Sequence, residues 1–165
     1  MGKKEYGKNN EKRGKNNENE IAEVFQSQLK GIGIDLKINV LECGAFIDLA
    51  AKGETGMYIT GWGNATGDTD YNQYNLYHSS SLGAPGNYAF YENPEVDRLI
   101  EAGRTEKDVE KRKQIYEKAQ EIKVKDAVHI PYRGVENLAA ISKNVQGVWI
   151  SPSGLLQLYD TSIVQ

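Results

Sequence analysis

The chain has 165 residues, 39% of them hydrophobic and 26% charged, with a net charge of −3. That length supports one globular domain with a real core, and the acidic balance gives no electrostatic case for nucleic acid. A single cysteine, Cys43, excludes an internal disulfide framework, and two histidines are too few for a histidine-built metal site, so neither metal nor cofactor is expected.

No apolar run approaches the roughly 20 residues that span a bilayer. Met1 leads into Gly-Lys-Lys-Glu-Tyr-Gly, without the apolar centre of a signal peptide. Residues 1–20 contain no aliphatic residue except Met1, and Lys, Asn, Glu and Gly make up almost all of them. Such a stretch cannot offset its ordering entropy by burial and is expected to be a solvated, disordered tail. Order begins at Ile21. Apolar Ile21, Val24, Phe25, Leu29 and Ile32 fall at helical spacing, and Gly31 and Gly33 stop the helix. Ile34, Leu36, Ile38 and Val40 alternate strictly, which predicts a strand over 34–42 with one buried face. Gly44 punctuates it; Phe46, Leu49 and Ala50 then predict a short helix ended by Gly53, and a strand follows over Met57–Trp62. The second helix has the length of a right-handed crossover between parallel neighbours. The fold class is therefore α/β, with the loop after Trp62 at the carboxyl end of a strand, where ligands collect in open α/β sheets.

Residues 63–92 read as a long loop, with Gly83, Pro85 and Gly86 as breakers and a cluster of tyrosines that packs it onto the body. Asn93-Pro94 is an N-cap followed by proline at the first helical position, with Val96, Leu99 and Ile100 facing inward. Thr105 to Asp108 approximates a capping box before a helix over 108–124, with Val109, Ile115, Ala119 and Ile122 on its buried side. Val128–Tyr132 and Leu138–Ser142 read as strands, and strand-like pieces continue to Gln165. No internal repeat is visible.

Chemistry concentrates in one place. Gly56 to Tyr71 begins as an apolar run and ends as a Gly-, Asn- and Asp-rich loop, with glycines at 56, 61, 63 and 67 around Trp62. An indole gives contact area, while bare backbone and short polar side chains give direction, a combination suited to gripping a small ligand. The plain alternative is a core tryptophan followed by an ordinary turn. Catalytic sets are missing: there is no phosphate-cradling glycine loop, no Gly-x-Ser-x-Gly and no His-Glu-x-x-His. Asp68 and Asp70 form only a formal acid/base pair, and Cys43 reads as a small filler rather than a nucleophile. A non-enzymatic binding role is expected.

The order of these landmarks, IAEVFQSQLKGIGIDLKINVLECGAF, MYITGWGNATGDTDY, FYENPEVDRLI, EKRKQIYEKAQEIKVKDAVHIPY and NVQGVWISPSG, resembles the C-terminal part of the peptide-binding proteins of ABC importers. These are extracytoplasmic solute-binding proteins of family 5, which carry dipeptides, oligopeptides and glutathione. The resemblance implies one lobe, the C-terminal one, of a two-lobed periplasmic-binding-protein-like fold, with a mixed sheet flanked by helices. It places the ligand-binding lobe at 21–135 and crossover strands at 136–165, which in such proteins pack on the first lobe. The chain would then be a fragment, with its signal sequence elsewhere. The implied partners are a peptide-like solute and the membrane permease of an importer, outside the cytoplasm, in a periplasm or lipid-anchored at the cell surface. The implied substrate-binding residues are Trp62, Gly63, Asn64, Ala65, Thr66 and Asp68. Dipeptide binders of the family carry an Asp three residues after the tryptophan to take the peptide amine; Ala65 stands there in this chain, and Thr66-Gly67-Asp68 is closer to the glutathione-type branch. Apolar Leu138, Ala139, Ile141, Val148, Trp149, Ile150, Leu155, Leu156 and Leu158 would lack their first-lobe partner, and a homodimer through these strands is the expected remedy. The rival reading is a structural or interaction domain that keeps the scaffold without transport.

Overall fold

The computed structural model describes residues 4–9, 18–132, 138–151 and 153–164. The main sheet has three parallel strands in the order β2-β1-β3: β1 is Lys4–Asn9, β2 is Leu36–Leu41 and β3 is Met57–Ile59. Strand β1 runs along β2 from the Lys4↔Leu36 pair to Asn9↔Leu41, and along β3 from Tyr6↔Met57 to Lys8↔Ile59. This corrects the expected tail over 1–20, part of which is the middle strand. The composition argument weighs only side-chain burial, whereas a central strand is held by backbone pairing on both edges. Strands β2 and β3 are parallel as expected but not adjacent, because β1 lies between them.

Helix α1 (Glu18–Gly31) packs on β2. Ala22, Leu36 and Ile59 form the buried centre, with Ile21, Phe25, Leu29, Ile38 and Met57 packed around it. The period-2 pattern of β2 holds at Leu36 and Ile38 and then opens, leaving Val40 exposed. Helix α2 (Cys43–Ala51) starts earlier than predicted: Glu42 is its N-cap, accepting from Gly44 N at 2.9 Å and Ala45 N at 3.3 Å. Those bonds hold the Glu42 carboxyl below its usual range. Cys43 thus opens a helix instead of ending a strand, and Phe46 and Ala50 carry the helix into the core.

The region read as one loop over 63–92 contains helix α3 (Thr69–Tyr77) and a 3-10 turn at Ser79–Ser81. Its sequence, TDYNQYNLY, has no apolar stripe at a 3.6-residue period, which is why periodicity misses it. Helix α4 (Pro94–Thr105) matches expectation, with Asn93 Oδ1 accepting from Glu95 N and Val96 N. Helix α5 is Val109–Lys125, and its N-cap is Asp108, not Thr105: Asp108 Oδ1 accepts from Lys111 N at 2.9 Å. Helices α4 and α5 pack closely, since a Cβ on Gly103 would sit 2.6 Å from the Tyr116 ring.

Beyond α5 the described residues form only short pairs. Val128–Tyr132 and 138–142 are not strands, a correction to both predictions. Pro131 lacks the N–H a ladder needs, and Leu138 is 89% exposed, without the partner strand that would order it. Strand β4 (Val145–Gln146) pairs antiparallel with β7 (Ser162–Ile163), and β5 (Trp149–Ile150) with β6 (Leu156–Gln157). The expected boundary at 135/136 lies outside the described residues. No helix among the described residues is long and apolar enough to cross a membrane.

Candidate ligand-contacting loop

Strand β3 ends at Ile59, three residues short of Trp62, so the tryptophan sits on the loop rather than in the strand. The loop is built by one side chain. Asn64 Oδ1 accepts from Thr66 N at 3.1 Å, Gly67 N at 2.8 Å and Thr66 Oγ1 at 3.2 Å, and Asn64 Nδ2 donates to Asp68 O at 2.8 Å. This asparagine turn lets Gly67 take a φ of +72°, a conformation that suits glycine. Thr66 Oγ1 also accepts from Asp68 N at 3.2 Å. Ala65 and Thr66 are exposed at the tip.

Asp68 has its own partners. It is the N-cap of α3, accepting from Asp70 N at 2.8 Å, and it receives both guanidinium arms of Arg112, at 2.7 and 3.0 Å. The Arg112 guanidinium, with the Asp70 amide second, holds the Asp68 carboxyl below its ordinary range. Arg112 Nε donates to Gly103 O at 2.8 Å, tying the loop to the α4–α5 pair. Asp70 is engaged likewise, 3.4 Å from Arg104 Nε and accepting from Tyr116 OH at 3.2 Å. The two carboxylates therefore brace the loop, and no acid/base chemistry attaches to them.

Trp62 is half-buried. Its ring lies against the bare Cα of Gly86, with Tyr71 tilted beside it at a centroid distance of 6.2 Å. Its Nε1 is buried and has no hydrogen-bond partner among the described residues. Gly61 and Gly63 on either side are exposed; a Cβ on either would meet nothing within 4 Å, and neither has a left-handed φ. The fold itself does not require glycine at these two positions. The sequence singled out Trp62, Gly63, Asn64, Ala65, Thr66 and Asp68, and the structure gathers them on one loop. It gives Asn64, Thr66 and Asp68 internal partners and leaves Gly63 and Ala65 facing out. Sequence reasoning missed Gly86 and Arg112, since no local pattern reports an approach across 24 or 44 positions.

Two other features lie apart from this loop. A shallow groove of about 920 Å³ runs between α1 and β2, lined by Glu23, Gln26, Leu36 and Ile38 among others, and shares no residue with the Trp62 loop. A buried polar cluster joins α3 to α5. Lys123, fully buried, donates to Gln73 Oε1 at 2.5 Å and sits 3.8 Å over the Tyr77 ring, whose hydroxyl is 3.3 Å from His129 Nδ1. Burial pulls the Lys123 pKa down to about 8, and burial followed by the Lys123 charge lowers that of His129.

Residues 8–84 match the family model described as "Bacterial extracellular solute-binding proteins, family 5 Middle". The segment 8–84, just under half of the chain, belongs to this family. It is 32% identical over 138 residues to a "Glutathione-binding protein GsiB" of Salmonella choleraesuis (strain SC-B67), covering 80% of this chain and 27% of that protein. It is 30% identical over 133 residues to a "Probable di/tripeptide-binding protein 5" of Pseudomonas aeruginosa (strain UCBPP-PA14), covering 81% and 25%. Among solved structures, the periplasmic binding protein DppA of Helicobacter pylori in complex with peptide STSA superposes with a TM-score of 0.68 at 30% identity, over 78% of this chain and 24% of that one. HbpA2 of Haemophilus parasuis superposes over 99% of this chain and 33% of its own, with a TM-score of 0.78 at 22% identity, a likeness of fold. The α/β periplasmic-binding-protein fold expected from the sequence is thus present. The chain spans about a quarter of the curated relatives it matches.

Proposed function

We propose that this chain is the solute-facing lobe of a binding protein that delivers a peptide-like solute, a di- or oligopeptide or a glutathione-like thiol peptide, to the permease of an ABC importer. The observation that carries the reading is the surface around Trp62. Gly61 and Gly63 leave open space that the described residues do not fill, beside an indole that packs against Gly86 and Tyr71. A glycine required by neither its own φ nor a neighbour is best explained by a molecule that approaches from outside. The names of the relatives support the same solute class.

The charge balance of the loop narrows the ligand. Asp68 and Asp70 are engaged by Arg112, Arg104 and Tyr116, and position 65 carries no carboxylate. This face then reads a neutral part of the solute through backbone groups and the indole, and a free ammonium is read elsewhere. The lobe acts without catalysis, nucleic acid or cofactor, on the outer side of a membrane. Residues 138–151 and 153–164, whose Trp149 is 52% exposed, pack on another lobe in the complete assembly, or on a second copy when that lobe is absent. Those exposed apolar residues also favour the second reading, an interaction domain without transport.

Isothermal titration with di- and tripeptides and glutathione tests the proposal, comparing the wild type with Trp62→Ala. Heat that disappears with the indole supports a solute site. Identical isotherms with every solute contradict it and favour the interaction domain.

A further inference from the structure

The indole of Trp62 has no polar restraint. Its Nε1 finds no acceptor among the described residues, so packing alone fixes the ring plane. Gly86 is one wall of that packing. A Cβ built there would lie 2.7 Å from Trp62 Cη2 and 2.8 Å from Cζ3, distances that real Cβ atoms do not adopt, and 3.0 Å from Asn75 O. Gly86 is buried and has no left-handed φ, so glycine is present for the close approach and not for its backbone freedom.

The next residue keeps that bare Cα in place. Asn87 is fully buried and makes three of the four bonds its amide allows: Nδ2 donates to His78 O at 3.1 Å and Tyr91 O at 2.9 Å, and Oδ1 accepts from Tyr91 N at 3.0 Å. Its backbone is tied as well, with Asn87 N donating to Ser81 O and Gly83 N to Asn87 O, both at 3.1 Å. The segment from His78 to Tyr91 is therefore folded on one buried side chain, and Gly86 rides on it as a fixed wall.

We propose that Gly86 is the positioning residue of the Trp62 loop, its bare Cα setting the plane of the indole, with Asn87 as its anchor. The proposal rests on the reading of Trp62 as a solute contact, which it deepens: the irregular segment after α3 templates the site from behind.

A double-mutant cycle in a Trp149→Phe background, where Trp62 is the one remaining tryptophan, tests it. Gly86→Ala is expected to shift the Trp62 indole N–H resonance, lower the denaturation midpoint and weaken peptide-induced shifts severalfold. Trp62→Phe lacks the far ring atoms, so Gly86→Ala is expected to cost much less stability in that partner background. An equal cost in both backgrounds, or an unmoved indole resonance, overturns the proposal and assigns the glycine to Asn75 O. Should Gly86→Ala alone fail to fold, the double variant still decides: folded supports the proposal, unfolded contradicts it. The two readings separate cleanly. A coupled cycle with unchanged peptide titration leaves Gly86 as the positioning residue of a tryptophan that is not a solute contact. An uncoupled cycle with binding lost on Trp62→Ala leaves the solute contact standing without Gly86 behind it.

Discussion

Ala65 is the exposed loop-tip position at which one substitution tests what the loop reads. The carboxylates nearest in sequence are held by arginines, so Ala65→Asp places a new exposed carboxylate at the loop tip. A charge-assisted hydrogen bond contributes about 1.5–3 kcal/mol. The variant is expected to favour a peptide with a free amine over its acetylated form, where the wild type shows no such preference; parallel calorimetric titrations check this. Lys123 gives a second prediction. Its folded pKa lies near 8 against 10.5 for the free side chain. The penalty for burying its charge is thus fully present below pH 8 and gone above 10.5, because the unfolded chain binds more protons between those values. Stability is expected to rise with pH across that window, by on the order of 3 kcal/mol. Urea denaturation at a series of pH values checks the slope, which is expected to vanish in Lys123→Met.

At the scale of elements, helix α3 depends on one residue that serves two purposes. Asp68 caps the helix and pairs with Arg112. Asp68→Ala is expected to cost about 1 kcal/mol for the cap, with little added for the ion pair because both partners are partly exposed. Because the folded carboxyl is depressed, its contribution is present above the ordinary Asp range and lost as pH falls through the folded value. The difference between wild type and variant in thermal denaturation is therefore expected to shrink in acid. This helix also marks the limit of what the sequence shows. Helices α1, α4 and α5 announce themselves through apolar spacing, and α4 also through its cap at Asn93, whereas the cap of α5 falls at Asp108 and not at the expected Thr105. Helix α3 has tyrosines and asparagines in place of a stripe, and Asp68, its N-cap, reads in the sequence only as a loop residue. Strand β1 was hidden for another reason, since Lys4–Asn9 is ordered by neighbours on both edges and not by its own apolar pattern. In the site, Trp62 and its glycines were legible as composition. The partners of Asp68 and the wall behind the indole were not, because they are contacts across the fold.

At the scale of the whole molecule, the apolar residues left exposed after residue 137 are expected to drive association of the isolated chain. Light scattering should give a mass well above 18.4 kDa at tens of micromolar, and deletion of residues 133–165 should return a monomer; a monomeric wild type contradicts this. The central claim is that the loop from Gly61 to Thr66 meets a peptide-like solute. If the site is split between two lobes, this half is expected to bind weakly, at about millimolar Kd (about −4 kcal/mol), within reach of an amide and indole NMR titration of the ¹⁵N-labelled chain with glutathione and tripeptides. Saturable shifts are expected at the Trp62 indole and the amides of residues 61–66, with α4 and α5 unmoved. Shifts that cluster elsewhere, or none at that loop as the peptides reach saturation, would contradict it.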